Sequence, residues 1–244
     1  MWYLVSTTVA KQLPWWLSPT MVGVGFAAFV VYATWVIFLG AHYEYKNYLS
    51  PFYSPLILIP NFPLSPAILV TWIPLGFRAT CYYYRKAYYR SFFWDPPACA
   101  IGELRGERYN GETKFPFILQ NIHRYFFYGA IFIWIVLAVD TVKAFLFDGH
   151  LGMGLGSLIF LINIVLLGLY TFSCHSWRHL IGGNIDCFSC SRATKMRHGI
   201  WERVSVLNQN HMLWAWTSLF SVSLTDVYVR LLAMGIIPAD LRFF

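Results

Sequence analysis

Apolar residues run along this chain in blocks too long for a soluble core. Between Gln12 and Tyr43 there is no Asp, Glu, Lys or Arg. A bilayer core about 30 Å thick needs about 20 consecutive, mostly apolar helical residues. Five blocks meet that requirement, at about 19–41, 64–89, 116–146, 151–181 and 200–234, and predict five spanning helices in one membrane domain covering 1–244. Pro66 suits the first turn of the second helix, whereas Pro74 should kink it. Asp148-Gly149 ends the third helix, Gly182-Gly183 closes the fourth and Pro238 follows the fifth. The expected fold class is an all-α integral membrane bundle.

The polar connections orient the bundle. Arg78 to Lys114 and Arg178 to Arg203 are basic, and the first of these holds an Asp95-Pro96-Pro97 turn signal with Arg90, Arg105 and Arg108. The connections 42–63 and 147–150 share a single Lys. Basic loops stay on the cytoplasmic side. The N-terminus is therefore expected inside and the C-terminus outside. Residues 1–18, with Trp2, Trp15 and Trp16, are expected along the inner interface, and no cleavable signal is expected. Composition agrees: 58% of residues are hydrophobic, 20% aromatic and only 12% charged, against about 25% charged in a soluble domain. The net charge of +7 fits loops at an anionic membrane face rather than nucleic-acid binding.

With this orientation His123, His175, His179, His198, His211 and all five cysteines gather near the cytoplasmic ends, leaving His42 and His150 outside. The densest stretch holds Cys174, His175, His179, Cys187 and Cys190. His175 and His179 are four apart, on one helical face. Cys187 and Cys190 form a C-x-x-C knuckle whose spacing fits a metal better than a disulfide framework. Two thiolates and two imidazoles suit tetrahedral zinc or a Rieske-type [2Fe–2S] centre, with Cys on one iron and His on the other. Haem b between His123 and His211 is a third possibility, although a di-haem anchor needs a second His pair at the outer depth. Against all three stands local hydrogen bonding, the simpler reading for His42, His150 and Cys99. A zinc-stabilised scaffold or transporter would carry midplane charges, which the central spans lack. Arg78, on the second helix beside Cys81, can snorkel or donate to a quinone, with Tyr82, Tyr83 and Trp177 as wall residues. Asp140/Lys143 and Asp226/Arg230 have helical pair spacing and should neutralise each other.

The run Ser173-Cys174-His175-Ser176-Trp177-Arg178-His179-Leu180-Ile181-Gly182-Gly183, with Cys187-x-x-Cys190 and Asn208-x-Asn210-His211, resembles the five-helix membrane anchor of an actinobacterial, mycobacterial-type succinate dehydrogenase. The resemblance implies a respiratory complex II in the bacterial plasma membrane. A FAD flavoprotein subunit oxidises succinate there, and an iron–sulfur subunit passes electrons to the anchor. It also implies a quinone, expected to be menaquinone, and a Rieske-type [2Fe–2S] cluster near the cytoplasmic face in place of haem. The complex could associate further into a homo-oligomer. His175, His179, Cys187 and Cys190 are the first ligand set. Because their order departs from ordinary Rieske proteins, His123, His198 or His211 could replace either His, and Cys81 or Cys174 a knuckle thiolate.

Overall fold

The computed structural model of the protein describes residues 14, 16–88, 122–147, 149–183 and 185–243. Eight helices carry the architecture: α1 (Leu17–Leu39), α2 (Ile68–Ala79), α3 (Tyr82–Tyr88), α4 (His123–Lys143), α5 (Leu155–Phe172), α6 (His175–Gly182), α7 (Arg192–Gln209) and α8 (His211–Ala233). Of these, α1, α4 and α5 are long and apolar enough to cross a membrane, and α2 is a shorter apolar helix. The protein is an all-α membrane bundle. Two small antiparallel ribbons add to it: β1 (Glu44–Tyr45) with β2 (Tyr48–Leu49), and β3 (Leu146–Phe147) with β4 (His150–Leu151). The loop expected at 90–115, the start of the third block at 116–121, Trp2, Trp15 and Cys99 lie outside the described residues.

Three expected helices are each divided in two. The second block breaks at Thr80 and Cys81, between α2 and α3. Thr80 Oγ1 donates back to the Gly76 carbonyl at 2.7 Å, a side-chain bond that competes with the helical ladder. The fourth block breaks at Ser173, where Oγ bonds the Tyr170 carbonyl at 3.1 Å. Cys174 then turns to extended backbone and caps α6. The fifth block breaks at Asn210, φ −104° and ψ 18°, separating the surface helix α7 from α8. Apolar periodicity records burial, not continuity of the ladder, so it passes over these joints. Pro74 does not interrupt α2, which runs through it from Ile68 to Ala79.

Helices approach closely where a side chain is missing. A Cβ at Gly76 would stand 2.2 Å from the Phe126 ring, and one at Gly129 2.6 Å from Ile73, so α2 and α4 meet through reciprocal glycines, as membrane helices commonly do. The main core collects Phe29, Val36, Phe77, Phe127, Tyr170 and Leu219 with the free cysteines Cys81 and Cys174.

A polar layer binds the loop after α1 to the opposite ends of α4 and α8. Asp226 is fully buried and accepts from Tyr32, from Ser50 and from Arg230 Nε, the last at 2.8 Å. Arg230 donates on to the Ala41 carbonyl at 2.6 Å. Asp140 takes Lys143 at 3.2 Å and Ser54. Asp240 receives both Tyr48 and Tyr228 hydroxyls at 2.5 Å. The two carboxylate–cation pairs expected from helical spacing are therefore present, and each also holds a loop. Removing one partner of a buried pair leaves an uncompensated charge, at about 3–5 kcal/mol. We therefore expect Asp226→Ala to lower the unfolding temperature of the detergent-purified complex markedly. The apolar double variant Asp226→Leu with Arg230→Met should recover much of that loss. Equal melting of parent and single variant would contradict a stabilising role for the pair.

Candidate metal centre

Four donors meet as two neighbouring Cys–His pairs because each sits at a helix end or break. Cys81 follows the end of α2. His123 is the first residue of α4, Cys174 caps α6 and His211 is the first residue of α8. Cys81, Cys174 and His211 are almost fully buried, and His123 is half-buried. The helix breaks bring Cys and His inside the bundle with their neighbours' hydroxyls alongside.

The connections are reciprocal. Thr80 Oγ1 meets His123 Nδ1 at 2.8 Å, and the opposite ring nitrogen, Nε2, faces Cys174 Sγ at 3.2 Å. Ser173 Oγ meets His211 Nδ1 at 2.7 Å, and His211 Nε2 faces Cys81 Sγ at 3.6 Å. Each imidazole thus bridges the hydroxyl of one Thr/Ser–Cys dyad and the thiol of the other. The hydroxyl protons are already committed to carbonyls, Thr80 to Gly76 and Ser173 to Tyr170. The hydroxyl oxygens therefore accept from Nδ1–H. That fixes the tautomer, protonated at Nδ1 with the Nε2 lone pair turned to sulfur, as metal-ligating histidines are fixed by their outer partner. Asn208 donates to the Ser173 carbonyl at 2.8 Å and secures the dyad from α7.

Aromatic rings hold both imidazoles in plane. Phe77 stacks on His123 at 4.7 Å and 9°, and Tyr170 on His211 at 5.1 Å and 15°. Tyr83 lies 5.5 Å from His211. Among the described residues the Tyr170 hydroxyl is buried without a partner in hydrogen-bonding geometry. Two buried thiols and two Nε2 lone pairs are the donor types of a group that takes two thiolates and two neutral imidazoles. Among the described residues no three His, Cys, Asp or Glu side chains converge on a single ion position.

The first ligand set read from the sequence is not brought together. Cys187 and Cys190 are joined as a disulfide, which occupies both sulfurs, contrary to the expected free knuckle. His175 and His179 are exposed on α6 with ring centres 6.4 Å apart. Arg124 donates to His179 Nδ1 at 2.8 Å. Partial burial, then the Arg178 and His179 charges, lower His175 from the ordinary imidazole range. His198 rests on α7 between Phe188 and Trp201 and lies 3.8 Å from Glu202. The alternates Cys81, Cys174, His123 and His211 are the ones that meet. Their supports Thr80, Ser173 and Tyr170 escaped sequence reading. The one available signal was a hydroxyl residue directly before each buried cysteine.

The expected quinone wall divides. Tyr82 is 57% exposed and meets Tyr83 edge-on at 5.4 Å, forming an open aromatic face beside His211. Trp177 is half-buried against Phe127 and Phe172. Arg78 does not snorkel. It points inward at 8% exposure and bonds Tyr84, the Ala215 carbonyl at 3.3 Å and Ser218 at 3.2 Å. With Tyr170 it forms the polar end of an otherwise apolar cavity of about 70 Å³.

Residues 17–235, a span that contains all four buried donors, match the family described as actinobacterial succinate dehydrogenase subunit SdhC. Curated proteins show no match. Among solved structures, a chain of the Mycobacterium smegmatis Sdh1 complex in the apo form is 45% identical, with a TM-score of 0.84, and the match covers 96% of this chain and 93% of that one. Sequence family, backbone fold and near-complete coverage agree, and the chain belongs to the SdhC family as a mycobacterial-type membrane-anchor subunit of an actinobacterial succinate dehydrogenase complex.

Proposed function

We propose that the protein relays electrons from the soluble iron–sulfur subunit of its complex to a membrane quinone through a Rieske-type [2Fe–2S] centre held by Cys81, Cys174, His123 and His211. The observation that carries this reading is the crossed arrangement in which each imidazole is oriented by one dyad's hydroxyl and aimed at the other dyad's thiol. When bound, such a centre exchanges single electrons at about −150 to +300 mV, a range useful for quinone chemistry. The chain's own residues do the rest. Thr80 and Ser173 keep both Nε2 lone pairs available. Phe77, Tyr170 and the surrounding core exclude water. Tyr82 and Tyr83 offer a wall on which a quinone ring, expected to be menaquinone, can lie near His211, with Trp177 further along α6.

The same reading orients the bundle. Five crossings are assigned to α1, α2 with α3, α4, α5 and α8, with the N-terminus cytoplasmic and the C-terminus outside. Arg178, Arg192, Lys195, Arg197 and Arg203 lie between Cys174 and His211 in sequence, which supports a cytoplasmic position for the site. There it lies within reach of the iron–sulfur subunit, itself fed by the flavoprotein. The carboxylate layer of Asp140, Asp226 and Asp240 then faces the outside.

Zinc accepts the same donor types, so metal analysis of the purified complex is the first test. Zinc in place of iron would replace the redox role with a structural one. Cys81→Ser and Cys174→Ser should each abolish the [2Fe–2S] EPR signal of the anchor and its quinone reduction, whereas Cys187→Ser and Cys190→Ser should leave both in place. The reverse pattern would return the ligand set to the exposed loop. Ser173→Ala and Thr80→Val should each weaken metal retention about 10–100-fold, read as iron left after a timed chelator challenge. Parental retention would show that the hydroxyls do not orient the ligands.

A further inference from the structure

Arg78 is a buried cation whose partners among the described residues are all neutral. Its guanidinium bonds the Tyr84 hydroxyl, the Ala215 carbonyl and Ser218 Oγ, and lies 4.8 Å from the Tyr170 ring centre. No carboxylate pairs with it among the described residues. This differs from Arg230, which has Asp226. Charges inside membrane bundles are costly and are normally paired with opposite ones. Arg78 stands beside the Cys–His centre in sequence and in space. Cys81 follows it by three residues, just past the end of α2, and Tyr170 contacts both the guanidinium, at 4.8 Å, and the His211 ring, at 5.1 Å.

We infer that Arg78 is the built-in counter-charge of the buried Cys–His centre, a positioning residue that favours its reduced state. The inference rests on the cluster reading proposed above. Two thiolates, two neutral imidazoles and an oxidised [2Fe–2S] core sum to no net charge. One electron from the reduced iron–sulfur subunit makes the sum negative, and that electron leaves to quinone. A fixed positive charge one ring away stabilises only the reduced form and so raises the midpoint potential. Tyr84 and Ser218 hold the guanidinium in place, and no carboxylate among the described residues offsets its charge.

The test is an EPR-monitored redox titration of the purified complex. Arg78→Gln should reduce the equilibrium constant for one-electron reduction about tenfold, a fall of about 59 mV. Arg78→Lys, which keeps the charge, should stay near the parent. Ser218→Asp, which sets a carboxylate against the guanidinium with Arg78 intact, should lower the potential as Arg78→Gln does, and it carries the test if Arg78→Gln fails to assemble. An unchanged potential in Arg78→Gln or Ser218→Asp, or an equal fall in Arg78→Lys and Arg78→Gln, overturns the inference. Failure of the cluster reading would look different: the parent itself would show no [2Fe–2S] signal from the anchor.

Discussion

Every polar side chain inside this bundle must find its partner within the chain, because hydrocarbon offers none and an unmet polar group costs several kcal/mol. The protein meets that constraint at two sites. On one side, hydroxyls, thiols and imidazoles close upon one another around Cys81, His123, Cys174 and His211. On the other, Asp140, Asp226 and Asp240 are each surrounded by tyrosine, serine or basic partners. The helical lengths between are apolar and make few polar demands.

The two sites differ in chemical character. The carboxylate layer is saturated: its acceptors hold hydroxyls and cations, and its task is to clamp the loop after α1 onto α4 and α8. The Cys–His site is polarised but not saturated. Its Nε2 atoms face soft sulfur, a weak partner, and the Tyr170 hydroxyl has none among the described residues. In a membrane anchor of succinate dehydrogenase, this soft-donor site beside Arg78 is where the proposed redox role would reside. A saturated carboxylate layer has the character of a structural brace.

Much of the architecture was legible in the chain. The predicted block at 19–41 appears as Leu17–Leu39, and the last as a helix ending at Ala233. Segment length and hydropathy determine membrane crossing almost alone, so neighbours can shift an end by only a few residues. The breaks at Thr80, Ser173 and Asn210 were not legible. They arise from hydroxyl side chains bonding backward to helix carbonyls and from a turn at Asn210, and such local competition leaves no trace in apolar periodicity.

Sequence by itself determined that this is a helical membrane protein with soft ligands, and it identified the family through the run around Cys174. Proximity along the chain favoured His175, His179, Cys187 and Cys190, which are dense in sequence and which the structure spreads over a surface helix and loop. The pairs that meet are separated by 51 and 130 positions. Only the tertiary structure could select them, because burial and convergence depend on which helix ends are packed together. A hydrogen bond between a ring nitrogen and a hydroxyl on another helix exists only once that packing has occurred.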